Sequence, residues 1–271
     1  MKDTTVLARC NLFAILGAIP HLLALDPKAA AIVADKKIKI GFAIHGGPSA
    51  TLAIENGKAS MYRGTKGCSI KLYFSSPEKF NAMIEGKANP LPVSGFQHIA
   101  FLTHEFTALT DLLTAYLRPA PERLEDPVFF ERSTTLMLYV IGRAVVQIGN
   151  HDKVGRFSAS NITDGKIILA IGRANGPAIG PAIGNGGREA GRGLAVAVHA
   201  KSHHLLFNAN PTPDHVTSSM SFADLHVARD LFDGRINAIA AVGLGHVRVG
   251  GMVSQVDNVN RILDRVSLYL T

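Results

Sequence analysis

His203 and His204 are adjacent, Asp224, His226 and Asp230 share one short stretch, and His98 and His246 each lie beside the last strand of a series. These are the residues that could hold a metal or move a proton. Successive residues of a strand point to opposite faces, so His203 and His204 cannot easily share one ion, and the pair reads as structural or exposed. Asp224 precedes an apolar helical run and reads as its N-cap. His98 and His246 lack a nucleophile, since the chain has no GxSxG elbow, and they read as bonding loop carbonyls. The Gly-rich run 172–193 carries Arg173, Arg188 and Arg192 and could cradle a phosphate through serial backbone N–H groups. It contains no GxxxxGK[ST], and no GxGxxG sits between a strand and a helix; another strand follows. A flap over a pocket or a subunit contact suits it better. No catalytic residue, metal ligand or cofactor is assigned, and the chain is expected not to be an enzyme.

The elements that would position a site come from composition and periodicity. The 271 residues suit two domains, and 47% apolar with 18% charged residues is a globular composition. Thirteen Phe and no Trp can line an apolar cavity without polar handles to satisfy. The formal net charge of +7 is scattered, its densest run being Lys36-Lys37-Ile38-Lys39, so no nucleic-acid stripe is expected. Cys10 and Cys68 form no framework and read as reduced core residues, which fits a cytoplasmic protein. Residues 6–25 approach the length of a membrane span, but Arg9, Asn11, His21, Gly17 and Pro20 interrupt them. A packed amphipathic helix is expected there, followed by a short helix with Asp26 as N-cap and Pro27 at its first position.

The chain also matches itself. Lys39–Ile44 aligns with Lys166–Ile171 at four of six positions, 127 residues apart. Gly86 aligns with Gly234 at a spacing of 148, which also pairs Phe74 with Phe222, Gly95 with Gly243 and His98 with His246. The growth in spacing is explained by the Gly-rich run. Pro119–Pro127 reads as a linker, giving domains at 1–120 and 128–271. In the first, strands are expected at Ile38–Ile44, Ala50–Ile54, Ala59–Tyr62 and Ile70–Phe74, with Asn56-Gly57 as a hairpin turn. A Ser/Pro-capped helix then carries Phe80, Met83 and Ile84 and stops at Gly86. A strand near His98–Leu102 and a helix through Leu117 complete it. The second repeats this order, ending in a strand at Val247–Val249 and a helix over Val256–Leu270. The fold class is α+β: two similar domains, each a roughly five-stranded mixed sheet covered by helices on one face.

This order resembles the sterol carrier protein type-2 family, most of all over Ser69–Pro90, with the likeness running from Ile38 to Leu117 and more loosely from Gly165 to Leu270. The resemblance implies a tunnel between sheet and helices for a fatty acyl chain, sterol or similar apolar ligand. Its expected lining is Phe74, Phe80, Met83, Ile84, Phe101 and Leu113 in the first domain, and Phe222, Leu231, Phe232, Leu244, Met252 and Leu263 in the second. Each of these also reads as ordinary core. Two other readings stay open: an enzyme or binder of a phosphate-bearing or acyl-thioester ligand using the Gly-rich loop, and a structural or dimerisation module without ligand. Transient membrane-surface contact and a homodimer are compatible with all of them.

Overall fold

The structure is a computed structural model and describes residues 2–88, 90, 92–172 and 194–270. The Gly-rich expectation, with Arg173, Arg188 and Arg192, lies outside the described residues. The chain divides into two compact units, Met1–Leu136 and Met137–Thr271.

Unit one opens with α1, Thr4–Leu25. Asp3 caps it by accepting from the N–H groups of Thr5 and Val6. The helix is irregular, with a π turn at Cys10–Ile15 and a 3-10 turn at Leu16–Ala18. Pro20 follows at once, and a proline can neither donate to nor sit easily against the preceding turn. By length and mean hydropathy, 1.6, this helix could cross a membrane, but 72% of its apolar window is buried within the fold. The interrupting Asn11 is satisfied there: its amide donates to Asn81, 3.0 Å away. Asp26 then caps α2, Pro27–Ile32, as expected.

Five strands follow: β1 (Lys37–Ile44), β2 (Ser49–Glu55), β3 (Lys58–Arg63), β4 (Ile70–Phe74) and β5 (Pro92–Ser94), in the order β3-β2-β1-β4-β5. β1 and β4 are parallel, with Ile44 beside Phe74, and the other pairs are antiparallel. Asn56 and Gly57 turn the β2–β3 hairpin at φ 50° and 76°, the left-handed values that such a turn demands. One face carries Ile40, Phe42, Ile70, Leu72 and Phe74, all buried. The helix α3, Pro77–Ile84, lays Phe80 edge-on against Phe42 and Phe74, with ring centroids 6.3 and 5.1 Å apart. Ser76 occupies its N-cap position without a side-chain bond to the helix.

The expected strand at His98–Leu102 is a correction. The last strand is Pro92–Ser94, and His98–Leu102 is helical. Gly95, at φ +83°, ends the strand so close to its neighbour that a Cβ would lie 2.2 Å from the Ser69 carbonyl oxygen. The chain then winds through a 3-10 turn (Phe96–His98), a single α turn (Ile99–Phe101) and a π turn (Leu102–Phe106) into α4, Thr107–Leu117. After a 3-10 turn at Pro121–Glu125 comes α5, Pro127–His151, which contains the boundary between the units.

Unit two continues with α6 (Lys153–Ser160), capped by Asp152, and then β6 (Gly165–Ile171), β7 (Leu194–Lys201), β8 (His204–Asn208) and β9 (Val216–Phe222). The helix α7 (Leu225–Phe232), α8 (Ala238–Gly243), β10 (Val247–Gly251) and α9 (Val253–Leu270) complete it. Its sheet order, β10-β9-β6-β7-β8, is that of unit one, and β6 is again parallel to β9 with Ile171 beside Phe222. Both units therefore share one mixed α+β architecture. Ile168, Ala170, Ala195 and Ala197 form a second buried cluster on the sheet face opposite Leu169, Ile171 and Val196.

The shared register supports the spacings of 127 and 148 residues but corrects two pairings. A Cβ on Gly251 would lie 2.1 Å from the Thr217 carbonyl, as one on Gly95 would meet that of Ser69. Ser69 and Thr217 are 148 apart, so Gly95 corresponds to Gly251 and not to Gly243. Helix α8, wedged in before β10, accounts for the shift. His98, in a helical turn after β5, and His246, just before β10, are consequently not equivalent.

Candidate ligand cleft

Unit one holds a cleft of about 330 Å³ between the start of β1 and the irregular turns that lead into α4. One wall is Asp35, Lys36, Lys37 and Ile38, and the other runs from Gln97 to Glu105. Ile38 and Phe101, 5% and 7% exposed, make an apolar floor. The rim is charged in both signs. Lys36 bonds Glu105 at 2.9 Å and Asp35 at 3.6 Å, while Lys37 bonds Glu55 at 2.6 Å. The hydrogen bond to Glu105 raises the Lys36 pKa, and the same bond lowers that of Glu105, so the two stay ionised across the walls. His104 donates from Nδ1 to the Ala100 carbonyl, 2.8 Å away.

This opening follows from local sequence. Tyr116 donates to Asp26 at 2.9 Å in unit one, and Tyr269 donates to Asp152 at 2.7 Å in unit two; each Asp caps the short helix before the first strand. Leu109, Leu113 and Tyr116 face inward at the same spacing as Ile262, Val266 and Tyr269, all buried. Measured from the corresponding glycines, Tyr116 lies 21 residues after Gly95, but Tyr269 only 18 after Gly251. Unit one takes up its extra residues in the 3-10 turn and the π turn beside the cleft, whereas α9 is one continuous α-helix. A π turn wedged into a helix often marks a functional position. In unit two, Gln255 bridges the corresponding corner. It is fully buried, and its amide donates to the Thr163 carbonyl at 2.9 Å.

No known protein family matches this sequence, and no curated protein does. Among solved structures, the chain is similar to Sterol Carrier Protein 2 from Yarrowia lipolytica (apo form), at 14% identity and a TM-score of 0.31, over 54% of this chain and 95% of that one. That is a weak structural likeness.

Of the residues expected to line a tunnel, Phe74, Phe80, Phe101 and Leu113 are buried in unit one, and Met83 and Ile84 are half-buried. Phe101 alone among them borders the cleft. In unit two, Phe222 is buried, with Leu231, Phe232 and Leu263 packed around its core, and Phe222 meets Phe232 edge-on at 5.5 Å. Leu244 and Met252, 71% and 46% exposed, are not brought to that core. His203 lies in the two-residue turn before β8 at φ 63°, and His204 begins the strand; both are exposed. Asp224 caps α7 as expected, accepting from the Val227 N–H. The cleft residues Lys36, Gln97, His104 and Glu105 carried no motif. Their signal lay in the run Lys36–Lys39, which reads as a solvated face until the helix turns are packed opposite it.

Proposed function

We propose that the chain is a non-catalytic carrier of an amphiphile, a fatty acyl chain or similar apolar body with an anionic head, and that unit one holds it in the cleft. The observation that carries this reading is the apolar floor of Ile38 and Phe101 beneath a rim on which Lys36 and Lys37 stand beside Asp35 and Glu105. Each methylene that leaves water on such a floor contributes about 0.8 kcal/mol, and the cations favour a carboxylate or phosphate head. The two units, with one strand order and one register, are read as a tandem duplication whose copies have diverged at this corner.

The test is calorimetric titration of dodecanoate into the whole protein. Ala100 is exposed and lines the cleft, so Ala100→Trp fills the space from the rim without entering the core. Binding is expected in the wild type and at least a tenfold loss in Ala100→Trp. Equal affinity in a variant with an unchanged melting temperature removes the cleft from the reading. Lys37→Glu reverses one rim charge, and about fivefold weaker binding of the anion is expected, shrinking at high salt.

A further inference from the structure

Unit two repeats the sheet of unit one, yet at the corner that is open in unit one it places a side chain. Gln255 lies four residues after Gly251 and 14 before Tyr269, positions that in unit one fall on Ile99 counted from Gly95 and on Leu102 counted from Tyr116. Ile99 is 38% exposed and Leu102 half-buried, while Gln255 is fully buried. Its amide nitrogen donates to the Thr163 carbonyl at 2.9 Å and to the Thr163 hydroxyl at 3.0 Å. Its amide oxygen accepts from the hydroxyls of Thr217 and Ser218 at 2.8 and 2.5 Å. One side chain thus ties α9 to the residues just before β6 and to the start of β9. It also lies against the first residue of β6: a Cβ on Gly165 would sit 2.9 Å from the Gln255 amide nitrogen. Position 165 corresponds to Ile38, the floor of the open cleft, so a bulky apolar residue in one unit answers to a glycine and a glutamine amide in the other.

We propose that unit two holds a latent second ligand site that the Gln255 side chain keeps shut, so that the chain takes one amphiphile and not two. The ligand class rests on the reading given above; the occlusion rests on the Gln255 network alone. The half-exposed Met252, whose sulfur lies 3.8 Å from the Thr163 hydroxyl, borders the plug and supplies an apolar wall to the space it fills.

Truncating the plug leaves its partners on β9 bonded, and Thr163, which loses the amide, is exposed to water. The Thr217 hydroxyl keeps the Lys166 carbonyl, and the Ser218 hydroxyl keeps the Met252 carbonyl and N–H. Gln255→Ala should therefore fold, and Gln255→Ser, which retains a hydroxyl, replaces it if it does not. Gln255→Leu refills the space without hydrogen bonds. The experiment counts bound dodecanoate per chain by native mass spectrometry and titration. The wild type and Gln255→Leu are expected at one, Gln255→Ala at two, and Gln255→Ala with Ala100→Trp back at one. A folded Gln255→Ala that stays at the wild-type count overturns the proposal, as does a wild type that already binds two. A wild type that binds none while Gln255→Ala binds one removes the cleft of unit one as the carrier site and leaves the plug standing. None bound by either removes both.

Discussion

Asp152 shows how a single buried carboxylate can fix a helix. It accepts from the N–H groups of Val154 and Gly155, from Tyr269 and from Arg265. Burial alone would raise its pKa, but the bonds from Arg265, Gly155 and Tyr269 outweigh this and hold it below the usual carboxylate range. A carboxylate depressed on folding stabilises the protein above its unfolded pKa, and that stability is lost as pH falls through the folded pKa. Asp152→Asn is expected to cost about 3 kcal/mol at pH 7 by denaturant titration, because it leaves the Arg265 guanidinium short of its partner. The difference from wild type should begin to narrow as pH falls below about 4, the unfolded value of an aspartate, and close only below the folded value. A gap that persists unchanged at pH 3 would show that the charge is not what matters. In unit one Asp26 likewise caps its helix and accepts from Tyr116 and Arg132.

Among the elements, the junction between the last strand and the following helix sets which side chains reach the corner beside the first strand. Gly95 and Gly251 both have positive φ and leave no room for a Cβ, so each forces its strand to end and the helix to begin over the neighbouring strand. Gly95→Ala and Gly251→Ala are each expected to destabilise by about 1–3 kcal/mol, read from the denaturation midpoint. Gly86 and Gly234 also have positive φ, but nothing lies within 4 Å of a Cβ there, so substitution should cost only the backbone strain, about 1 kcal/mol. Past the junction, the two units differ by the irregular turns Phe96–His98 and Leu102–Phe106. The sequence expectation of a strand at His98–Leu102 failed because Ile99, Ala100, Phe101 and Leu102 form a short apolar run that suits strand and helix alike. Gly95 breaks the ladder first.

For the whole molecule, the expectation is one functional site supported by two similar units. Dodecanoate at a hundred times its dissociation constant should stabilise the protein by about 2.7 kcal/mol. Hydrogen exchange should then slow at residues 35–38 and 97–105 and remain unchanged at 162–165 and 252–257. Equal protection in both units would contradict the division of labour between them.

Much of this was written in the sequence. The alternation of Ile38, Ile40, Phe42 and Ile44, the Asn56-Gly57 turn, the Asp26-Pro27 and Asp224 caps and the 127- and 148-residue spacings determined the strands, the turns and the likeness of the two units, because periodicity and capping act within a few residues of the chain. What lies between those elements was not legible there. Which rings Phe80 meets, whether Gln255 is a surface amide or a buried one, and whether Lys36 faces only water or also Glu105 all depend on residues tens of positions away. Tertiary packing decided these points. A three-residue difference in one helical segment sets which side chains reach the same corner, and no local signal reports that distance.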